Sequence, residues 1–162
     1  MVRAVRVWHH KCHPAPISHH YPIEEITGTY GDAVKKMLSG GSLILIEHDV
    51  DPLAAQLERV RCYSEESPST VFAARYLLHP ITTGLDHPVC AHRPRMGEWL
   101  EEEGIVPIQY FGLGCTYLPK EVGDLIEPRW DYPALDYLIS QAWHEAGGRA
   151  YATPDWVAHH HG

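Results

Sequence analysis

The stretch GGSLILIEHDVDPLAA, residues 40–55, decides the fold. Within it, four aliphatic residues at positions 43–46 follow a pair of glycines and run directly into the charged and polar segment 47–51. A continuous apolar run with these borders is typical of a central strand that is covered on both faces. Residues 42–47 are therefore predicted to form a buried strand, with charged side chains crowded at its carboxyl end.

The segments on either side of this strand predict an α/β fold. Residues 2–8 alternate valine with polar residues, which favours a strand, and residues 31–39 have the apolar spacing of a helix. Residues 52–62 begin with a proline, which suits the first turn of a helix. The order strand, helix, strand, helix predicts a mostly parallel central sheet, in which ligands bind beyond the carboxyl ends of the strands.

The rest of the chain is assigned by the same patterns. A length of 162 residues fits one domain, residues 1–162. The predicted elements are a strand at 70–78, a long loop at 79–95, a short helix at 96–104, strand and turn at 105–119, a short helix at 119–126, the longest helix at 132–148, and a last short strand after it.

Composition excludes some classes of function. The formal charge is −8 with only 13 Lys and Arg, and no basic run is present, which disfavours a basic nucleic-acid-binding face. No apolar run approaches the roughly 20 residues that span a bilayer, and the first residues lack the pattern of a signal peptide. We therefore expect a cytoplasmic protein without a membrane span. The scattered cysteines favour reduced thiols.

The aspartates after the buried strand are candidate metal ligands. Asp49 and Asp51 are two positions apart, so that both side chains can share one side of an extended segment. Carboxylates held this close raise each other's pKa unless a cation lies between them. Oxygen ligands favour Mg²⁺ or Mn²⁺. The alternative is that both aspartates cap the following helix, and spacing alone leaves the two interpretations open.

Four segments resemble parts of GT-A glycosyltransferases. ILIEHDVDP (44–52) resembles their DXD segment, and in particular that of galactosyltransferases that use UDP-galactose and Mn²⁺. YFGLGCTYLPKEV (110–122) is similar to their acceptor-site turn, WDYPALD (130–136) to the step that acts on the acceptor hydroxyl, and DWVAHHH (155–161) to the segment with a last metal-binding histidine. The same set resembles small glycosyltransferase-like proteins of actinobacterial phages, which implies the host cytoplasm as the location.

This resemblance implies a Rossmann-like three-layer sandwich of GT-A type and a set of metal ligands. Asp51 would bind the metal directly, and Asp49 would reach the donor ribose or a metal-bound water. The phage-like pattern instead favours Glu47 and Asp49. His159 or His161 would complete the ligand set, unless the histidine run is only a tail.

The resemblance also implies the catalytic and acceptor residues. Asp136 would be the base that deprotonates the acceptor hydroxyl in an inverting transfer. Asp131 is the reserve candidate, with a helix cap as its alternative role. The implied acceptor residues are Gly112, Gly114, Cys115 and Trp130. For Trp130, a position in the hydrophobic core is the alternative to stacking on a sugar.

Two further features carry alternatives. The histidines and cysteine of HHKCH (9–13) have zinc-ligand chemistry without a second half at finger spacing, so we expect His9 and His10 in a polar loop over the donor pocket. Arg75 lies in the second half of the predicted strand at 70–78 and is assigned either to the donor diphosphate or to the surface.

These features together predict a metal-dependent glycosyltransferase. The donor would be a nucleotide-diphospho-sugar, with a UDP-sugar as the first choice, and the acceptor would be a glycan, a small molecule or a modified base. Two alternatives stay open: a phosphoester hydrolase that uses clustered Asp and His to bind metal ions, and a binding module that has kept the fold and lost catalysis.

Overall fold

The computed structural model describes residues 2–9, 21–156 and 159–160. Its strands are β1 (Arg3–Trp8), β2 (Ile23–Glu25), β3 (Leu43–Glu47), β4 (Val50–Asp51), β5 (Val71–Arg75), β6 (Leu77–Leu78), β7 (Val89–Cys90), β8 (Val106–Pro107), β9 (Cys115–Leu118), β10 (Ala150–Trp156) and β11 (His159–His160). Its helices are α1 (Tyr30–Ser39), α2 (Ala54–Glu66), α3 (Pro80–Thr83), α4 (Leu135–Glu145) and a 3₁₀-helix at Lys120–Leu125.

The central sheet has seven strands in the order β2-β1-β3-β9-β5-β10-β8. β1 pairs in parallel with both β2 and β3, and β5 pairs in parallel with β10. β9 is antiparallel to its neighbours β3 and β5, and β8 is antiparallel to β10. Five strands therefore run in one direction, so that the predicted mostly parallel sheet of the α/β class is confirmed.

Strand β3 divides its side chains between the two faces of the sheet. Leu43 and Leu45 belong to a core cluster with side chains of α1 and α4, whereas Ile44 and Ile46 belong to a second cluster with side chains of α2. All four are fully buried. The apolar run thus forms a central strand that is covered on both faces, as predicted, and this strand lies between the two helical layers of a three-layer sandwich.

Helix α1 has defined contacts at both ends. The Thr29 hydroxyl accepts a hydrogen bond from the backbone N–H of Asp32 (3.1 Å), and an Asp131 carboxylate oxygen accepts one from Tyr30 N–H (2.9 Å). The helix ends at the pair Gly40–Gly41, where Gly41 has a φ of +120° that favours glycine. The predicted helix at 31–39 is confirmed.

The prediction of a helix at 96–104 is wrong. Gly97 has a φ of +86°, outside the helical region, and the carbonyls of Glu102 and Gly104 accept hydrogen bonds from the guanidinium of Arg75. The run of glutamates has good helix propensity, which the tertiary contacts of this segment override.

Three other boundaries differ from the predictions. The segment 70–78 contains two strands, β5 and β6, and the predicted loop after it contains α3 and β7. Helix α4 begins only at Leu135, because Pro133 disfavours helical conformation in the residue before it. With 11 residues, α4 is shorter than α2, which has 13. Among the described residues, no helix has the length and apolarity needed to cross a membrane.

Candidate functional site

A pocket opens where the carboxyl ends of parallel strands meet. β1, β3 and β5 run in the same direction, so their carboxyl ends lie at one edge of the sheet. The pocket has a volume of about 190 Å³ and lies beside the end of β3. Its lining includes three carboxylates, Glu47, Asp49 and Asp136, and three tyrosines, Tyr30, Tyr76 and Tyr132. No lysine, arginine or histidine of the described residues lines it.

Glu47 is the last residue of β3 and is half-buried. Burial raises the pKa of its carboxyl to about 8, and the charges of Asp49 and Asp136 add to the rise. The Tyr30 hydroxyl donates to Glu47 Oε2 over 3.4 Å and opposes this rise in the Glu47 pKa. Without a cation in the pocket, Glu47 therefore carries a proton at neutral pH.

Asp136 reaches the same pocket from the first turn of α4. The Tyr110 hydroxyl donates to Asp136 Oδ2 (2.8 Å), and the backbone N–H of Tyr137 donates to Oδ1 (2.9 Å). Burial raises the pKa of Asp136, and the two hydrogen bonds partly offset that rise. The carboxylate is thus held in one orientation, and its affinity for a proton is raised, as general-base chemistry requires.

Asp131, the reserve catalytic candidate, has backbone partners. One oxygen, Oδ1, accepts hydrogen bonds from Tyr30 N–H and Tyr132 N–H, both at 2.9 Å. The Nε2 atom of His9 lies 3.9 Å from the same oxygen. These contacts agree with the capping alternative, although the helix capped is α1 rather than the helix that follows. A catalytic role for Asp131 stays a prediction.

Beneath the turn after β3 lies a cation that the sequence analysis missed. Arg6 of β1 is fully buried, and its Nη1 donates to the backbone carbonyl of His48 (3.0 Å). Its Nη2 lies 3.8 Å from Asp51 Oδ1. Burial lowers the pKa of Arg6, whereas the carboxylates of Asp51 and Asp49 raise it. Asp51 is therefore balanced by a protein cation and does not line the pocket, whereas Asp49 does.

The backbone of His159 and His160 lies beside the same turn. Strand β11 pairs antiparallel with β4, which sets the backbone of His159 opposite Asp51. The side chain of His159 and all of His161 lie outside the described residues, as do His10 and the rest of HHKCH. In the part of the chain that is described, no group of three or more His, Cys, Asp and Glu is placed to hold a metal ion.

The glycines predicted at the acceptor turn make room for a tyrosine. A Cβ atom added to either Gly112 or Gly114 would clash with the ring of Tyr76, which lines the pocket. His92 fixes this turn, because its Nδ1 accepts a hydrogen bond from Gly112 N–H (3.0 Å) and its Nε2–H donates to Ala74 O (2.7 Å). Burial lowers the pKa of His92 to about 4, so the ring stays neutral and keeps both roles.

The other predicted site residues have structural contacts. Arg75 is buried and donates from Nε, Nη1 and Nη2 to main-chain carbonyls, which leaves its assignment to a diphosphate a prediction. Cys115 is buried in β9, and burial raises the pKa of its thiol to about 12. Trp130 packs against the hydrophobic core, and its carbonyl accepts a hydrogen bond from Gly31 N–H (2.8 Å), in agreement with the core alternative.

Solved structures share this fold. The protein A197 from STIV superposes with a TM-score of 0.59 at 16% identity, over 93% of this chain and 81% of that one. Two UDP-glucose pyrophosphorylase structures are also similar: an apo form (TM-score 0.51, 14% identity, 85% of this chain and 57% of that one) and a UTP-bound form from Acinetobacter baumannii (TM-score 0.52, 12% identity, 85% and 54%). This chain spans just over half the length of the pyrophosphorylases. No family model and no curated protein matches the sequence.

Proposed function

We propose that this chain is a metal-dependent glycosyltransferase that moves a sugar from a nucleotide-diphospho-sugar to a hydroxyl-bearing acceptor. The likeness to UDP-glucose pyrophosphorylases, one of them with UTP bound, supports a nucleotide-sugar ligand for this fold. The location of the pocket supports the same proposal, because ligands of α/β sheets bind beyond the carboxyl ends of parallel strands.

The observation that carries the proposal is the charge of the pocket. Three carboxylates face a pocket that has no basic side chain among its described lining residues. A diphosphate cannot approach these carboxylates closely without a cation that separates the negative charges. For a nucleotide-sugar site lined by these described residues, we propose that the separating cation is a bound metal ion.

Glu47 and Asp49 fit such an ion. Mg²⁺ and Mn²⁺ are commonly held by one or two carboxylates, with substrate phosphates and water as the remaining ligands. Burial, together with the charges of Asp49 and Asp136, raises the pKa of Glu47, a bound cation would favour its ionised form, and Asp49 lines the same pocket. Asp51 already has Arg6 as its counter-charge, so we assign the metal to Glu47 and Asp49. The chemistry that the ion supplies is positive charge at the departing nucleoside diphosphate.

The protein's own groups act on the acceptor. Asp136 accepts the proton of the acceptor hydroxyl, and the hydrogen bonds from Tyr110 and Tyr137 hold its carboxylate in place for that transfer. Tyr132, whose side chain is 49% exposed, lies at the mouth of the pocket and offers a ring face to an apolar sugar face. Asp136 on α4 thus acts on the acceptor, and Glu47 on β3 acts on the donor by holding the metal ion.

The test is a binding titration with UDP-glucose, UDP-galactose and UTP, each with and without Mn²⁺. We expect Mn²⁺ to tighten nucleotide binding, and Asp49→Asn to weaken the Mn²⁺-dependent affinity by more than about tenfold, because a ligand charge is lost. Asp86→Asn is the matched control, since Asp86 has a 97% exposed side chain and lies outside the pocket.

Three results would contradict the proposal. The first is nucleotide binding that needs no metal, and the second is an Asp49→Asn variant that binds as the unchanged protein does. The third is release of phosphate or nucleotide at a rate that no acceptor alters, which favours a hydrolase.

A further inference from the structure

We propose that Tyr110 is the positioning residue for the Asp136 carboxylate, an inference that rests on the proposed function for its catalytic meaning. The Tyr110 hydroxyl donates to Asp136 Oδ2 over 2.8 Å, the usual length of an O–H···O hydrogen bond. Tyr110 does not line the pocket itself, so it acts on a substrate only through Asp136.

Tyr110 is itself held firmly from the opposite side. Its backbone and that of Arg93 exchange two hydrogen bonds, of 3.0 Å and 3.2 Å. The guanidinium of Arg93 lies over two aromatic rings, 4.5 Å from the ring centroid of Trp99 and 5.8 Å from that of Tyr110. Such a stacked cation restricts the tyrosine ring. The hydroxyl therefore approaches Asp136 from a fixed direction.

A second contact between the same segment and α4 allows a role of the Tyr110–Asp136 hydrogen bond in the reaction to be distinguished from a purely structural role. The Ser140 hydroxyl accepts a hydrogen bond from Phe111 N–H (3.0 Å) and donates to Phe111 O (3.1 Å). Asp136 and Ser140 are four residues apart and so lie on one face of α4. Both join the same segment to the same helix, but only Asp136 lines the pocket. If the Tyr110–Asp136 hydrogen bond only stabilised the structure, substitution of Tyr110 and substitution of Ser140 would have the same effect on the reaction.

The surroundings of Asp136 explain why it needs a donor. Glu47 from β3, Tyr30 from α1 and Tyr76 after β5 line the same pocket, and none of them carries positive charge. A hydrogen bond to the ionised carboxylate stabilises the form that accepts a proton. It also holds the carboxylate in one orientation.

The first measurement is UDP release from UDP-galactose with Mn²⁺, with water as the acceptor. We expect Tyr110→Phe to lower kcat about tenfold with little change in KM, and Ser140→Ala to leave kcat unchanged once the folded fraction is equal. In an Asp136→Asn background, Tyr110→Phe should cause no further loss, because the carboxylate that it positions is gone. Equal effects of Tyr110→Phe and Ser140→Ala, or additive effects with Asp136→Asn, would overturn the inference.

The second measurement needs no turnover. In tyrosine-labelled protein, the Tyr110 hydroxyl proton should exchange slowly enough to be observed by NMR, and Asp136→Ala should abolish that signal. If the chain releases no UDP under any condition, the proposed function fails, whereas the positioning contact is supported by loss of this signal. A hydroxyl signal that is the same in both proteins overturns the contact, whatever the enzyme assay gives.

Discussion

At the scale of single residues, the carboxyl groups of Glu47 and Asp51 have different electrostatic surroundings. Asp51 is balanced from beneath by Arg6, at 3.8 Å, whereas Glu47 has no such neighbour and its pKa rises to about 8. The sequence predicts that the carboxylates are crowded. It does not predict that Asp51 has a counter-charge and Glu47 has none, because the guanidinium that supplies this charge comes from β1, some forty residues away.

The pKa of Glu47 has a consequence for stability in the metal-free protein. The folded state keeps a proton on Glu47 up to about pH 8, whereas the unfolded chain loses it near pH 4.5. Between these values the folded state binds more protons, so the free energy of unfolding falls as the pH rises. Glu47→Gln removes this dependence, by an amount on the order of 2 kcal/mol after allowance for partial solvent exposure.

Urea denaturation at pH 5.5 and pH 8.5 measures this effect. We expect the difference in unfolding free energy between the two pH values to shrink in Glu47→Gln and to persist in Glu58→Gln. Glu58 is the matched control, because its side chain on α2 is 65% exposed. An unchanged pH dependence in Glu47→Gln would show that Glu47 is ionised in the folded state.

At the scale of elements, the pocket depends on close approach between β5 and the turn before β9. His92 joins Ala74 at the end of β5 to Gly112, and the ring of Tyr76 occupies the space that side chains at 112 and 114 would take. From the sequence, these glycines are expected to allow close approach of a ligand. In the structure, the group that approaches them is a tyrosine of the pocket wall.

Gly114→Ala tests this arrangement. The added methyl clashes with the Tyr76 ring, so we expect a loss of about 1–3 kcal/mol in unfolding free energy and weaker binding of UDP with Mn²⁺. The control is Gly28→Ala, because a Cβ at position 28 has no atom within 4 Å. If both variants have the same stability and affinity, the close packing of Tyr76 on this turn is refuted.

At the scale of the whole molecule, the pattern of the sequence predicts the layers but not the site. The run at 43–46 and the helical spacing of α1 and α2 indicate a covered parallel sheet. Glu47 and Asp49 are named from their positions after that run, whereas Asp136 is named only from the resemblance of its segment to glycosyltransferases. The pocket also needs Tyr30 and Tyr76, and its Asp136 has Tyr110 as a hydrogen-bond donor; the aromatic character of these residues suits a core as well as a site. Such tyrosines can be assigned to the site only once the order of the strands is known, because that order brings distant segments of the chain together.

The antiparallel direction of β9 is a second feature that the pattern does not predict. Its neighbours β3 and β5 are parallel to each other in direction, and nothing in the alternation of residues 115–118 distinguishes a reversed strand from a parallel one. This reversal brings the start of β9, with the glycine turn before it, to the carboxyl edge where the pocket lies.

We propose that the acidic pocket at the end of β3 accepts a nucleoside diphosphate together with a divalent cation. Crystals grown with UDP and Mn²⁺ test it directly, because manganese is located by its anomalous scattering. We expect one manganese peak between the UDP diphosphate and the carboxylates of Glu47 and Asp49. UDP bound elsewhere, or a manganese peak distant from both carboxylates, would contradict the claim.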